Sequence, residues 1–137
     1  MMEHRRTTIL ARFALVLGVT LLYGCAKQAI PELPASVPPL WTRTSFAPGQ
    51  PPKALDTAGN QVSCQDAAYN GPGTAHVSVC LFPPGSGAFE AVQRTRASAN
   101  TVKFQEGDAF ALISWDKATR DEITELVHAV QRALKRK

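Results

Sequence analysis

The feature that most constrains the fold is a turn sequence flanked by two cysteines. Asn70-Gly71-Pro72-Gly73 is a strong turn signal, and the run Thr74–Phe82 after it alternates between apolar and polar residues. If Gly71-Pro72-Gly73 is a three-residue hairpin loop, the pairing places Cys64 opposite Cys80. The same register gathers the apolar side chains on the other side of the hairpin, namely Ala67, Tyr69, Val77, Val79 and Leu81. Two independent constraints therefore predict the same antiparallel pair of strands.

A helix and a second hairpin are predicted after the first. Ser86 follows Pro83-Pro84-Gly85 and predicts the cap of a helix. Its narrow apolar stripe holds Phe89 and Val92, with Ala88 and Thr95 beside them. Two alternating runs around a turn at Glu106-Gly107-Asp108 predict another pair of strands. The residues expected to share the core face of that pair are Val102, Phe104, Ala109, Ala111, Ile113 and Trp115.

The last helix has the clearest signature in the sequence. Thr119 and Glu122 have the spacing of a capping box, which predicts that a helix begins there. The apolar residues that follow lie on one helical face, namely Ile123, Leu126, Val127, Val130 and Leu134. Residues 55–137 are therefore predicted to form one small α+β domain. We expect a two-layer β-β-α-β-β-α fold, in which a mostly antiparallel sheet carries both helices on one face.

An open sheet face follows from that arrangement. It would carry Phe82, Phe110 and Leu112, with Lys103 at its rim. Exposed apolar patches of this kind often mark contact sites, so these four residues are candidates for contact with a protein partner. Two alternatives stay open: the segment from Trp41 to Phe46 folds over the face, or the face is a modest patch without function.

Residues 25–54 differ in composition from the rest of the chain. They contain seven of its ten prolines. Because proline fixes φ and lacks an N–H donor, the stretch predicts neither a helix nor a central strand. As an extended tether it would reach of the order of 80 Å, at about 3.1 Å per residue. Two interpretations of Leu40-Trp41 remain: the pair docks on the domain as a strand or loop, or it belongs to an aromatic peptide that binds a partner.

Residues 1–24 have the layout of a secretory signal peptide. A positively charged start precedes Phe13–Leu22, which has no charge and is too short to cross a bilayer as a helix. Leu22-Tyr23-Gly24-Cys25 resembles the lipobox of bacterial lipoproteins, in which the cysteine is lipidated and becomes the new N-terminus. An ordinary signal peptide with a chance cysteine is the alternative.

The resemblance also implies a location. Lipoproteins of this type carry a diacylglycerol thioether and usually an N-acyl group on the cysteine, which hold the protein on a membrane. Ala26 is not the aspartate associated with retention at the inner membrane. The implied location of the chain is therefore the bacterial cell envelope, at the outer membrane facing the periplasm.

Two cysteines remain once Cys25 is assigned to the lipid, so they can pair with each other. In an oxidising envelope compartment, Cys64 and Cys80 are expected to form a disulfide, which stabilises by roughly 3 kcal/mol for a loop of this length. Free thiols are the first alternative. A redox or metal site is the weaker one, because the chain has no C-x-x-C pair and its mature part has two histidines, His76 and His128.

The charge and motifs of the mature chain restrict its function. Once residues 1–24 are removed, 12 basic residues stand against 10 acidic ones, a net charge of +2 that gives no basis for nucleic-acid binding. Asp66, His76 and Ser78 are predicted to stand parallel on one sheet face, which does not converge on a reacting atom. We therefore expect a lipid-anchored envelope module that is not an enzyme, needs no cofactor and contacts an envelope protein. The alternatives are a carrier of a small ligand or glycan, with a pocket between Trp41 and Trp115, or a structural spacer.

Overall fold

The computed structural model describes residues 29–135, so the predicted signal peptide and Cys25 lie outside the described residues. The elements in chain order are β1 Ser36–Val37, β2 Trp41–Gly49, β3 Ser63–Asn70, β4 Thr74–Leu81, α1 Gly87–Arg94, β5 Thr101–Glu106, β6 Ala109–Asp116 and α2 Arg120–Lys135. The strands form one antiparallel sheet with the spatial order β1-β2-β3-β4-β6-β5. This confirms the α+β class and, from β3 onward, the order β-β-α-β-β-α.

The central hairpin has the predicted register. Cys64 pairs with Cys80 across β3 and β4, and a disulfide joins the two residues. Gly71 and Gly73 are required at the turn, because a Cβ on either would collide with a carbonyl oxygen, that of Leu40 and that of Asp116 respectively. The turn is therefore wedged between the chain entering β2 and the end of β6.

The two faces of the sheet have separate cores. On the face that we call the α2 face, Val77, Val79, Ala111 and Ile113 pack against α2. The alternation of side chains along a strand sends Cys80 and its neighbours to the opposite face. There, on what we call the α1 face, a second buried cluster consists of Leu55, Cys64, Cys80, Phe82, Ala88, Ala91 and Phe110.

The prediction that both helices lie on one face is wrong, because α1 packs on the face opposite to α2. Both faces of β4 and β6 carry large apolar residues, so burying them requires a helix on each face. The contact side of α1 differs in part from the prediction. Ala88 and Thr95 are buried as part of the expected side, but Ala91 is buried as well, whereas Phe89 is 51% exposed. Ser86 stands at the N-cap position, but its hydroxyl makes no capping hydrogen bond within the described chain.

The second hairpin and the last helix agree with the sequence. Val102 pairs with Ile113 and Phe104 with Ala111, so they share a face as expected. The capping box of α2 is formed by two hydrogen bonds. The Thr119 N–H donates to Glu122 Oε2 at 3.2 Å, and the Glu122 N–H donates to Thr119 Oγ1 at 3.3 Å. Among the described residues, no helix is both long and apolar enough to cross a membrane.

The segment predicted as a tether is folded from Ser36 to Gly49. β2 pairs with β3 along its length and with β1 at its start, so the described domain begins well before residue 55. The prolines are compatible with this arrangement because of where they stand. Pro48 lies in a part of β2 that has one strand neighbour in the described sheet, where a residue without an N–H is tolerated.

Side chains of this N-terminal segment pack into the core beside α2. Leu33, Val37 and Trp41 are 1%, 5% and 2% exposed. The Trp41 indole Nε1–H donates to the carbonyl oxygen of Glu122 at 2.9 Å, which ties β2 to the first turn of α2. Of the two interpretations of Leu40-Trp41, the structure therefore supports the docked strand.

Candidate binding groove

The four predicted contact residues do not form an exposed patch. Phe110 is 0% exposed and Phe82 is 2% exposed, and the half-buried Leu112 packs against the same cluster. They lie under α1, which covers the face that was expected to be open. The prediction that these side chains present a contact surface is therefore wrong for the folded domain.

Lys103 has a structural role beside α1. Its ammonium group donates to the carbonyl oxygen of Val92 at 2.5 Å and also to that of Thr95, at the C-terminal end of the helix. The last carbonyls of a helix lack intrahelical donors and carry partial negative charge, so a cation there stabilises the helix end. Lys103 thus helps to hold α1 on the sheet.

A groove opens at the end of the sheet where β3 begins and β4 ends. Its volume is about 1040 Å³. Three stretches of chain form its walls: Ala29-Ile30 at the start of the described residues, the connection between β2 and β3, and Pro83-Pro84 after β4. We call it the neutral groove. Its lining consists of Ala29, Ile30, Gln50, Pro51, Thr57, Asn60, Gln61, Val62, Ser63, Gln65, Leu81, Phe82, Pro83 and Pro84.

Local hydrogen bonds position two of these walls. In the β2–β3 connection, the Ala58 N–H donates to Asp56 Oδ1 at 2.9 Å, and Asn60 Nδ2 donates to the Thr57 carbonyl at 3.0 Å. Gly59 follows in a left-handed conformation, with φ of 80°, so the connection turns tightly here. After β4, the Phe82 N–H donates to the Asp108 carbonyl at 2.9 Å, which ties the start of Pro83-Pro84 to the turn between β5 and β6.

The lining of the neutral groove is uncharged. None of its described lining residues is Asp, Glu, Lys, Arg or His. Amide side chains, among them Gln50, Gln61 and Gln65, supply both donors and acceptors, whereas Ile30 and the prolines supply apolar surface. Such a mixture suits a polar ligand without charge, because a buried charge would find no counter-charge among these residues.

A smaller cavity of about 270 Å³ lies between β1 and α2. Its lining includes Glu32, Glu125 and Arg132. The Glu32 carboxylate forms an ion pair with Arg43 at 2.9 Å, so one of its charged groups is already engaged. Its size and its mixed charge make it a weaker candidate than the neutral groove.

Asp66, Ser78 and His76 do not form a catalytic relay. The Ser78 hydroxyl donates directly to Asp66 Oδ1 at 2.9 Å, and His76 is exposed on the same strand. A serine nucleophile is activated by a base that takes its proton, and here the hydroxyl is bonded to a carboxylate without an intervening imidazole. Within residues 29–135, no group of three or more His, Cys, Asp or Glu side chains is placed to hold a metal ion.

Tyr69 shows how closely the N-terminal segment is packed. Its side chain is 0% exposed, and its hydroxyl donates to the Pro34 carbonyl at 2.7 Å. Burial raises the pKa of Tyr69 to about 12, since the phenolate loses its hydration, and the nearby Arg43 opposes this in part. The group is therefore neutral at physiological pH and serves packing.

The two tryptophans do not frame the predicted pocket. Trp41 is buried in the core beside α2, Trp115 packs partly buried against the same cluster, and neither lines the neutral groove. Sequence reasoning missed the groove, although four uncharged amides cluster between residues 50 and 65, namely Gln50, Asn60, Gln61 and Gln65. The boundary at residue 55 separated Gln50 from the others and concealed the cluster.

Comparison with protein-family models, with curated proteins and with solved structures finds no match for this chain.

Proposed function

We propose that the protein is a lipid-anchored, non-enzymatic module of the bacterial cell envelope that binds an uncharged polar ligand in the neutral groove. The observation that carries this proposal is the position of the groove. Ile30, which lines it, stands five residues after Cys25, the lipidation site that the lipobox resemblance implies. A ligand in the groove would therefore be held close to the membrane.

A glycan is the ligand class that best fits the groove. Sugar hydroxyls exchange hydrogen bonds with amide side chains in both directions, and the apolar faces of sugar rings pack against surfaces such as those of proline and isoleucine. A charged phospholipid headgroup or an acidic peptide would instead need basic residues in the lining. The carrier of a small ligand or glycan thus has more support than the spacer, because β1 and β2 fold most of residues 36–49 into the sheet.

Contact with an envelope protein is the second candidate function. The side chain of Phe89 favours it, because it is a large apolar group on α1 that is 51% exposed. A single exposed aromatic side chain is a smaller basis for a contact than the patch that was expected from the sequence. The groove therefore remains the first candidate.

The anchor is tested by mass spectrometry of the protein purified from bacterial envelopes. We expect the mature chain to begin at Cys25 and to carry diacylglycerol, and we expect Cys25→Ser to abolish both the processing and the lipid mass. The matched control is Cys64→Ala with Cys80→Ala, which leaves Cys25 lipidated. A mature chain with an unmodified N-terminus would refute lipid anchoring.

The groove is tested by titrating the purified protein with oligomers of N-acetylglucosamine as an uncharged probe. We expect saturable binding that Gln61→Ala and Gln65→Ala each weaken about fivefold, the equivalent of about 1 kcal/mol for one hydrogen bond. Gln93→Ala, on the outer side of α1, is the control and leaves the affinity unchanged. Equal affinity in all four proteins would show that the sugar does not occupy the groove.

A further inference from the structure

We infer that the end of the domain that carries the neutral groove rests at the bilayer surface, with the sheet unable to turn its opposite end toward the membrane. This inference rests on the lipid anchor of the proposed function. It adds the orientation of the domain and identifies the interaction surface, whose partner is the headgroup layer of a lipid bilayer.

The folded domain begins close to residue 30. Leu33 is 1% exposed and Val37 is 5% exposed, and Ile30 packs against the same core cluster. The Arg43 guanidinium also donates to the carbonyl oxygen of Leu33, and the Arg43 N–H donates to that of Ala35 at 2.9 Å. The chain is therefore attached to the domain from about residue 30 onward.

The chain between the lipid and the domain has a short reach. Four Cα–Cα steps separate Cys25 from Ala29, and covalent geometry limits them to about 14 Å whatever their conformation. A tether through residue 54 would have had a reach of the order of 80 Å. The lipid thus holds the domain several times more closely than the proline content suggests.

The two ends of the sheet lie at different distances from the anchor. Ala29 lies at the end that carries the neutral groove, and Asn70 and Thr74 lie at the other end. β3 has eight residues, so the two ends are about 25 Å apart at about 3.3 Å per residue. If the far end touched the bilayer, Ala29 would stand about 25 Å above it, beyond the reach of about 14 Å. An upright domain with its far end on the bilayer is therefore out of reach for a chain lipidated at Cys25.

The surface that meets the membrane in this orientation combines an uncharged groove with a few charged side chains around it. The groove lining is uncharged, and the connection between β2 and β3 carries one cation and one carboxylate, Lys53 and Asp56. The turn between β5 and β6 lies at the same end and adds two carboxylates, Glu106 and Asp108, so the rim of this surface is weakly acidic. Pro51, Pro83 and Pro84 are exposed and add apolar surface without charge. Such a surface suits zwitterionic headgroups better than anionic ones, because its carboxylates would be repelled by negative charge. A ligand in the groove would be a membrane-borne glycan.

The experiment measures fluorescence quenching of full-length, lipidated protein in vesicles whose lipids carry a quencher on the headgroup. Gln61→Cys and Thr74→Cys, both at exposed positions, place one dye at the groove end and one at the far end. The disulfide and the lipid leave these as the free thiols of the mature chain. We expect quenching at position 61 to be several-fold stronger than at position 74. Equal quenching, or stronger quenching at position 74, would overturn the inference.

An insertion variant tests whether chain reach sets the orientation. Inserting about 15 Gly and Ser residues between Gln28 and Ala29 adds roughly 20 Å of mean reach, so we expect the difference between the two dyes to shrink. An undiminished difference would overturn the argument from reach. Flotation with the vesicles separates the two proposals: protein that fails to float refutes the lipid anchor, whereas floating protein with equal quenching refutes the orientation alone.

Discussion

The Tyr69 hydroxyl joins the sheet to the N-terminal segment through its hydrogen bond to Pro34. The pKa of this buried group is about 12 in the folded protein, against 10.0 for an unperturbed tyrosine. In the pH interval between these values the unfolded chain has lost the proton that the folded chain retains. The stabilisation associated with the neutral phenol is therefore complete below pH 10 and is lost as the pH rises toward 12.

We expect the free energy of unfolding to fall by up to about 1.4 kcal/mol per pH unit across that interval, through Tyr69 alone. Tyr69→Phe should remove this part of the pH dependence, at a cost of about 1 kcal/mol at neutral pH for the lost hydrogen bond. Urea unfolding of both proteins between pH 8 and 12 measures the difference. Parallel curves for the two proteins would contradict the raised pKa of Tyr69.

The alternation of single residues could be predicted well from the sequence. The pairing of Cys64 with Cys80 and the shared face of Val102 and Ile113 both followed from a period of two and a turn signal. Such local patterns depend on neighbouring residues alone. The burial of Phe110 was not predictable in this way, since it depends on where a helix distant in sequence comes to rest.

Among the elements, α1 is the one that sequence reasoning placed wrongly. Its largest apolar residue, Phe89, faces solvent, and two alanines face the sheet. The small side chains let the helix approach closely, and Lys103 holds its last carbonyls from below. The prediction was wrong because it assigned the large side chain of Phe89 to the contact with the sheet, whereas the close contact of α1 with the sheet requires small residues.

The C-terminal end of α1 contains a correctable defect. Thr95 is 1% exposed, and its Oγ1 has no hydrogen-bond partner among the described residues. A buried polar atom without a partner is destabilising. We expect Thr95→Val, which keeps the shape and removes the hydroxyl, to raise the free energy of unfolding by about 1 kcal/mol in urea titrations. A loss of stability would mean that the hydroxyl is hydrogen-bonded after all.

Replacing Lys103, in contrast to Thr95, should lower the free energy of unfolding. Lys103→Met leaves the Val92 and Thr95 carbonyls without their cationic donor, and we expect a loss of about 2 kcal/mol, the range for hydrogen bonds to charged groups. Lys53→Met, at an exposed position, is the matched control and should change stability by less than about 0.5 kcal/mol. Circular dichroism during urea unfolding measures both. Equal small effects would show that Lys103 does not hold the helix end.

At the scale of the whole molecule, the domain is larger than its composition suggests. The proline-rich stretch contributes two strands and three buried side chains, Leu33, Val37 and Trp41. Composition predicted an extended backbone correctly, but an extended backbone is equally compatible with a tether and with a strand. The choice between them depended on whether the rest of the domain offers an uncovered edge and core, which no local pattern reveals.

Two leucines in this stretch provide an internal control. Leu33 is 1% exposed and Leu40 is 42% exposed. We expect Leu33→Ala to lower the free energy of unfolding by about 2–5 kcal/mol, the usual range for a buried leucine, and Leu40→Ala to change it by less than about 0.5 kcal/mol. Thermal or urea unfolding measures both variants. If both substitutions had no effect, the segment would be a tether and not part of the domain.

The hydrogen bond from Trp41 to Glu122 spans 81 residues of sequence. A chain that emerges from its N-terminus delivers the indole long before the carbonyl oxygen that receives it. The indole therefore has no acceptor, and its aromatic surface stays uncovered, until the residues of α2 have been synthesised. A truncated product that ends before α2 would keep the Trp41 surface exposed. The burial of Trp41, which lies near the proposed anchor, therefore depends on synthesis having reached α2.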